Sequence, residues 1–294
     1  MEKGILAVSI PEKAQITEIT ALVNAVNRHD GTGCSIDLED DFRREGEFNS
    51  FLFYEKGRLI SAINLFTPGR TEAEISAFTH PDFRRRGCFT SLRLTMEKEL
   101  RRRGIPSQLY VCDRLSAPGK AVIQRLAAEH DFSEYQMTLT APLPAPAPVI
   151  PGMTLSQAKK TDMPELAKIM SEAFGDPLAE VEARADEFLN NTRRTIYTIS
   201  LYDNIAGMIG VYQEGQIDYI HGFCLGSAYR GKGLGKAALI QTAALCRGAD
   251  PSREIHLEVE TENENALSLY LKAGFRTQRV FDYYRRANPQ ESPG

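Results

Sequence analysis

No cysteine of this chain stands in a C-x-x-C pair: Cys34, Cys88, Cys112, Cys224 and Cys246 are scattered and odd in number. That argues against a disulfide framework or a zinc site and predicts a protein of a reducing cytoplasm. No stretch reaches 18 apolar residues, and residues 1–7 carry two charges instead of an apolar leader. A soluble, unexported chain with no membrane partner is expected. Excess charge is missing too: 35 basic against 39 acidic side chains leave a net charge of -4, too little to favour nucleic acid.

The 294 residues suit two domains of ordinary size. Near the midpoint, Pro142, Pro144, Pro146, Pro148 and Pro151 alternate with small or aliphatic residues. Each proline fixes its own φ and biases its predecessor away from helix, so an extended spacer is predicted. The expected division is a domain over residues 1–140, a linker over 141–152 and a second domain over 153–294. The halves also read as one unit duplicated. A basic turn ending at Gly87 recurs at Gly233, and Asp131-Phe132 parallels Gly274-Phe275.

The second half predicts helices over 162–174 (Asp162 as N-cap) and 178–189, then strands over 195–202, 205–212 and 217–225 joined by short turns. A Gly-rich turn leads to a helix over 233–246 closed by Gly248, followed by a strand over 255–261, a helix over 263–272 and a strand over 275–285. The first half repeats this order with a helix over 14–28, strands over 51–54, 59–66 and 73–78, a helix over 89–102, a strand over 108–112 and a helix over 120–129. The fold class is α+β, each half a mixed, mostly antiparallel sheet flanked by helices.

Arg230-Gly231-Lys232-Gly233-Leu234-Gly235 lies between an apolar strand and an apolar-faced helix. The first helical N–H groups lack internal partners and the dipole is positive there, so an anion can bind; glycines let a phosphate reach the backbone. Simple turn punctuation is the bland alternative. No Lys-Ser/Thr pair follows at the spacing of a P-loop.

The string resembles motif A (Arg/Gln-x-x-Gly-x-Gly/Ala) of the GNAT superfamily, the acyl-CoA-dependent N-acyltransferases, with Arg230, Gly233 and Gly235 at the defining positions. Leu257-x-Val259, Asn263, Ala266, Leu269-Tyr270 and Gly274-Phe275 resemble its downstream signature. The resemblance implies a tandem of two GNAT-like domains. It implies acetyl-CoA as co-substrate, no metal, and a small-molecule or peptide amine as acceptor, in a monomer or homodimer. Amides of Gly231, Lys232, Gly233, Leu234 and Gly235 would cradle the diphosphate, with Phe223, Cys224 and Leu225 along the pantetheine arm. Leu225 N–H would be the oxyanion donor and Tyr270 the general acid. Asn263 is either a cofactor contact or the N-cap of its helix, and Tyr270 without the resemblance reads as core.

The general base stays open between His221, Glu258 or Glu260, and no role for any of them. Tyr283, Tyr284, Arg285 and Arg286 are either an acceptor wall or edge-strand filler. In the first half, Arg84-Arg85-Arg86-Gly87-Cys88-Phe89 puts Phe89 where motif A has Gly or Ala, and no tyrosine aligns with Tyr270. A degenerate, non-catalytic first copy is expected. Two further readings stand beside a catalytic tandem: a non-catalytic acyl-CoA-binding module, and an enzyme similar to mycothiol synthase. The final strand of the second copy is either shortened or replaced by a strand of the other copy.

Overall fold

The computed structural model describes residues 3–36, 38, 46–143, 149–183 and 189–289. The chain forms two compact units, Met1–Ser133 with Arg279–Gly294, and Glu134–Gln278. The boundary is therefore not the proline-rich segment. Residues 141–143 and 149–152 lie inside the second unit, where Ala141 N–H donates to Gly274 O and Leu143 and Ile150 pack on its core. The stiff spacer expected over 144–148 lies outside the described residues.

The first unit contains β1 (Lys3–Val8), α1 (Lys13–Asp30), β2 (Ser50–Glu55), β3 (Arg58–Phe66), β4 (Glu72–Thr79), α2 (Cys88–Arg103), β5 (Ser107–Asp113) and α3 (Ala117–Leu126). β6 (Glu129–Leu139) then crosses into the second unit, followed by β7 (Met153–Gln157), α4 (Met163–Phe174), α5 (Leu178–Ala183), β8 (Arg194–Leu201), β9 (Asn204–Glu214), β10 (Ile217–Leu225), α6 (Leu234–Ala249), β11 (Glu254–Glu260), α7 (Glu264–Ala273) and β12 (Phe275–Ala287). Local chemistry accounts for most of these elements. In α1, Ile19, Leu22, Val23 and Val26 make one buried stripe, and Gly31 ends the helix with φ +70° and its N–H on Asn27 O.

Each sheet closes with the last strand of the other repeat. In the second unit the order is β7-β8-β9-β10-β11-β6, and Glu134–Thr138 of β6 runs antiparallel to Glu260–His256 of β11. In the first, Phe281–Ala287 of β12 runs antiparallel to Asp113–Ser107 of β5. The open alternative at the chain's end is thus resolved in favour of a strand from the other copy. Tyr283, Tyr284, Arg285 and Arg286 accordingly belong to the first unit: Tyr283 stacks on Phe132 at 4.3 Å, Arg285 pairs with Asp131 and Arg286 with Glu97.

In the second unit, α6 and α7 cover one face of the sheet through Leu234, Ala238, Leu239 and Tyr270, while α4 and α5 cover part of the other through Leu166, Met170 and Val181. Smaller corrections concern caps. The Asp162 side chain makes no cap bond but accepts from Lys159 N–H and Thr198 Oγ1. α6 runs through Gly248 to Ala249 and ends at Asp250. Residues 184–188 of the second expected helix lie outside the described residues. No described helix is long and apolar enough to cross a membrane.

Candidate active site

Parallel pairing of β10 with β11 runs from Ile217↔Glu254 to Ile220↔Leu257 and stops there. β10 itself continues to Leu225, held on its other side by β9 through Cys224↔Met208 and Leu225↔Gly207, after a bulge between His221 and Cys224. The β11-facing edge of residues 222–225 is left open. Gly226 N–H bonds Ala206 O on the β9 side, and successive residues of a strand turn their N–H groups to opposite edges. The Leu225 amide therefore faces the opening, as an acceptor-binding amide must.

The turn that follows is tied to the same residue. Arg230 Nε donates to Leu225 O at 2.8 Å, so this arginine closes the turn and leaves Leu225 N–H for another partner. Gly231 and Gly233 take φ +74° and +80°, values that cost an L side chain roughly 1–2 kcal/mol. Ala237 N–H is bonded to Gly233 O; the helical amides before it have no intrahelical acceptor. A Cβ on Gly235 would meet Leu225, Leu269 and Phe223 only at 3.6 Å. Packing thus does not require glycine there, whereas a side chain larger than Ala would stand in the way of a close-approaching anion.

Close packing does require one at Gly207, which the sequence reading passed over. Its Cβ would lie 2.2 Å from the Cys224 carbonyl oxygen, a backbone atom that only a shift of β10 can relieve. Gly207→Ala is expected to destabilise the protein by about 1–3 kcal/mol, read as a lower urea midpoint; an unchanged midpoint would mean that the strands separate freely.

Tyr270 lies on α7, the residue 7% exposed and its ring edge-on to Phe275 at 6.1 Å. Burial pushes its phenol up to about 12, so it holds its proton throughout the neutral range. The hydroxyl has no hydrogen-bond partner among the described residues, yet it is not among the side-chain atoms sealed from solvent without one. Asn263 caps α7: its Oδ1 accepts from Ala266 N–H at 3.1 Å, which fulfils the structural of its two readings.

His221 pairs across the strands with Gly210 and lays its ring over it. Its Nε2 is sealed without a partner, and burial together with the positive Arg194 lowers its pKa to about 3. Such a group is a weak base at neutral pH, which argues against His221 in that role. Glu258 differs. It alternates with buried Leu257 and Val259, lies opposite Gln136 of β6, and accepts from Gln136 Nε2 across a long 3.4 Å. Crowding by protein raises its pKa to about 7, with the like charges of Glu134 and Glu214 adding to the effect. By surface area it remains exposed, so this is a crowded place that water still reaches. Glu260 is exposed opposite Glu134.

A splayed strand pair, a glycine-rich turn and a tyrosine on a following helix lie within the region, residues 163–275, matched by the acetyltransferase (GNAT) family model. Over this region the chain is similar to the GNAT family. Both units share the GNAT fold. A GCN5-related N-acetyltransferase from Sphaerobacter thermophilus superposes with a TM-score of 0.78 at 18% identity, covering 97% of this chain and 96% of that one. A tandem GNAT protein from the clavulanic acid biosynthesis pathway gives 0.74 at 14%, covering 99% and 100%. An uncharacterized protein of Mycobacterium leprae (strain TN) is 30% identical over 132 residues, which span 44% of this chain and about a third, 34%, of that protein.

The first unit repeats the device with altered side chains. β4 and β5 pair only from Glu72↔Ser107 to Ile75↔Tyr110, and Arg84 Nε donates to Thr79 O at 3.2 Å as Arg230 does to Leu225. Arg85 takes φ +61° and Gly87 +81°, matching Gly231 and Gly233. Arg84 is also held bidentately by Asp30 at 2.9 and 2.6 Å, and Arg86 lies over the Phe83 ring. Ser116 and Asn263 are equivalent N-caps, and the C-caps are Ala127 and Gly274. Ile123 therefore stands where Tyr270 does, and residues 127–128, not 131–132, align with 274–275. A cavity of about 580 Å³ lies at this cleft, lined by Ile75, Thr79, Phe89, Tyr110 and Ile123 among others.

Proposed function

We propose that the second unit transfers an acetyl group from acetyl-CoA to a primary amine by direct attack in a ternary complex, and that the first unit is catalytically silent. The observation that carries this reading is the opened edge of β10, which directs the Leu225 amide into a cleft beside the turn at 231–235. Amides of Gly231, Lys232, Gly233, Leu234 and Gly235 hold the diphosphate at the start of α6. Residues 223–225, Phe223, Cys224 and Leu225, offer main-chain bonds to the pantetheine arm. Leu225 N–H donates to the thioester oxygen as negative charge develops on it.

Glu258 takes the proton that the amine loses as its nitrogen bonds to the carbonyl carbon, and Tyr270 gives one to the sulfur as the C–S bond breaks. Glu258 replaces His221 as base because its pKa of about 7 suits proton transfer near neutrality. In the first unit, Ile123 has no proton to give. The acceptor is a small-molecule or peptide amine.

The test is release of CoA thiol from acetyl-CoA against polyamines, aminoglycosides, amino acids and peptide N-termini. Thiol release with one of these amines is the expected result; calorimetric CoA binding without release for any of them would make the protein an acyl-CoA-binding module instead. Gly235→Val is expected to raise the Kd for CoA roughly tenfold or more with thermal stability retained. Undiminished affinity would move the diphosphate elsewhere.

A further inference from the structure

The strand that closes the catalytic unit's sheet brings more than backbone pairing to the site. Register places Gln136 opposite Glu258 and Glu134 opposite Glu260. Antiparallel neighbours on one face have Cβ atoms about 4.5–5.5 Å apart, and diagonal neighbours about 7–8 Å. Gln136 thus reaches the Glu258 carboxylate directly, with Nε2 3.4 Å from Oε1, and Glu134 stands on the diagonal. We propose that Gln136 and Glu134 are positioning residues that set the pH at which Glu258 can accept a proton. Gln136 favours the ionised carboxylate by donating to it, and Glu134 disfavours it by like charge.

Among the described residues, the other charged and titratable groups on this face are Tyr212 and Glu214 on β9, Tyr219 and His221 on β10, Arg194 on β8, and Glu254, His256 and Glu260 on β11 itself. Several are committed elsewhere. His256 Nε2 lies 2.7 Å from Glu254, and His221 stays neutral above about pH 3. The two β6 side chains are half-buried and belong to none of the apolar core clusters, so altering them leaves the core filled. The sign of each effect follows from the chemistry. Removing the Glu134 charge lets Glu258 ionise at lower pH, whereas removing the Gln136 donor raises the pH required.

This inference rests on Glu258 being the base, and the test separates the two ideas. Full-length protein carrying 13C-labelled glutamate is titrated by NMR, with the Glu258 carboxyl assigned by its loss in Glu258→Gln. The expected result is a midpoint that falls by roughly half a unit or more in Glu134→Gln and rises by a similar amount in Gln136→Leu. Unmoved midpoints in both variants, with the folded circular dichroism spectrum retained, overturn the proposal. The pH profile of kcat/KM is measured on the same variants with an amine that the thiol-release panel identifies. Should the NMR midpoints move while the acidic limb stays fixed, the tuning by β6 holds and the assignment of Glu258 as base fails.

Discussion

Tyr270→Phe is expected to lower kcat by about 10²-fold or more and to leave CoA affinity intact. The substitution removes one hydroxyl and nothing else. The ring keeps its place in the core against Phe275, and because the hydroxyl bonds no described residue, its loss leaves no donor or acceptor stranded. Stability should therefore be unchanged, and the whole effect should fall on the step that expels the thiolate. Steady-state thiol release separates the two contributions, with calorimetry reporting affinity. A kcat within a few-fold of wild type would remove Tyr270 from the chemistry.

Glu258→Gln should cost about 10²- to 10⁴-fold in kcat/KM at pH 8. The wild-type enzyme should show an acidic limb near pH 7. A base works only when unprotonated, and the Glu258 carboxyl, pushed up to about 7, gains its proton as the pH falls through that value. Activity therefore rises with pH to a plateau. Tyr270, at about 12, stays protonated over this range, and His221, at about 3, stays neutral. In Glu258→Gln the limb should vanish with the activity. An acidic limb that persists in this variant would assign the base to another group.

Much of this site was legible in the residues because it is local. The turn at 230–235 needs an arginine to bond the preceding strand and glycines at positive φ, and all lie within a few positions of each other. α7 likewise declares itself through Asn263 as cap and Gly274 as terminator. What the sequence did not disclose depends on partners remote in the chain. Residues 134–139 give no sign of pairing with β11 more than a hundred positions later, so the proline-rich segment drew the boundary to itself. β1 and β7 are short strands at the edges of the sheets and carry too weak a pattern to register.

The same remoteness hid the difference between His221 and Glu258. Both sit on one face of neighbouring strands. Only the register against Gly210, which lets the His221 ring settle onto the backbone, and against Gln136 and Glu134, which crowd Glu258, drives their proton affinities apart. Gly207 is a third case: its need to be glycine comes from a carbonyl on another strand. In the first unit, the cap at Ser116 fixes the alignment that puts Ile123 at the place of Tyr270. The sequence match at 131–132 had suggested a frame shifted by four residues.

The most direct test of the whole account is a crystal structure of the protein soaked with acetyl-CoA. The expected result has the diphosphate on the amides of 231–235, the thioester oxygen on Leu225 N–H and the sulfur within hydrogen-bonding reach of the Tyr270 hydroxyl. Acetyl-CoA held only in the first unit, or seated in the second with the Tyr270 hydroxyl turned away from its sulfur, would contradict it.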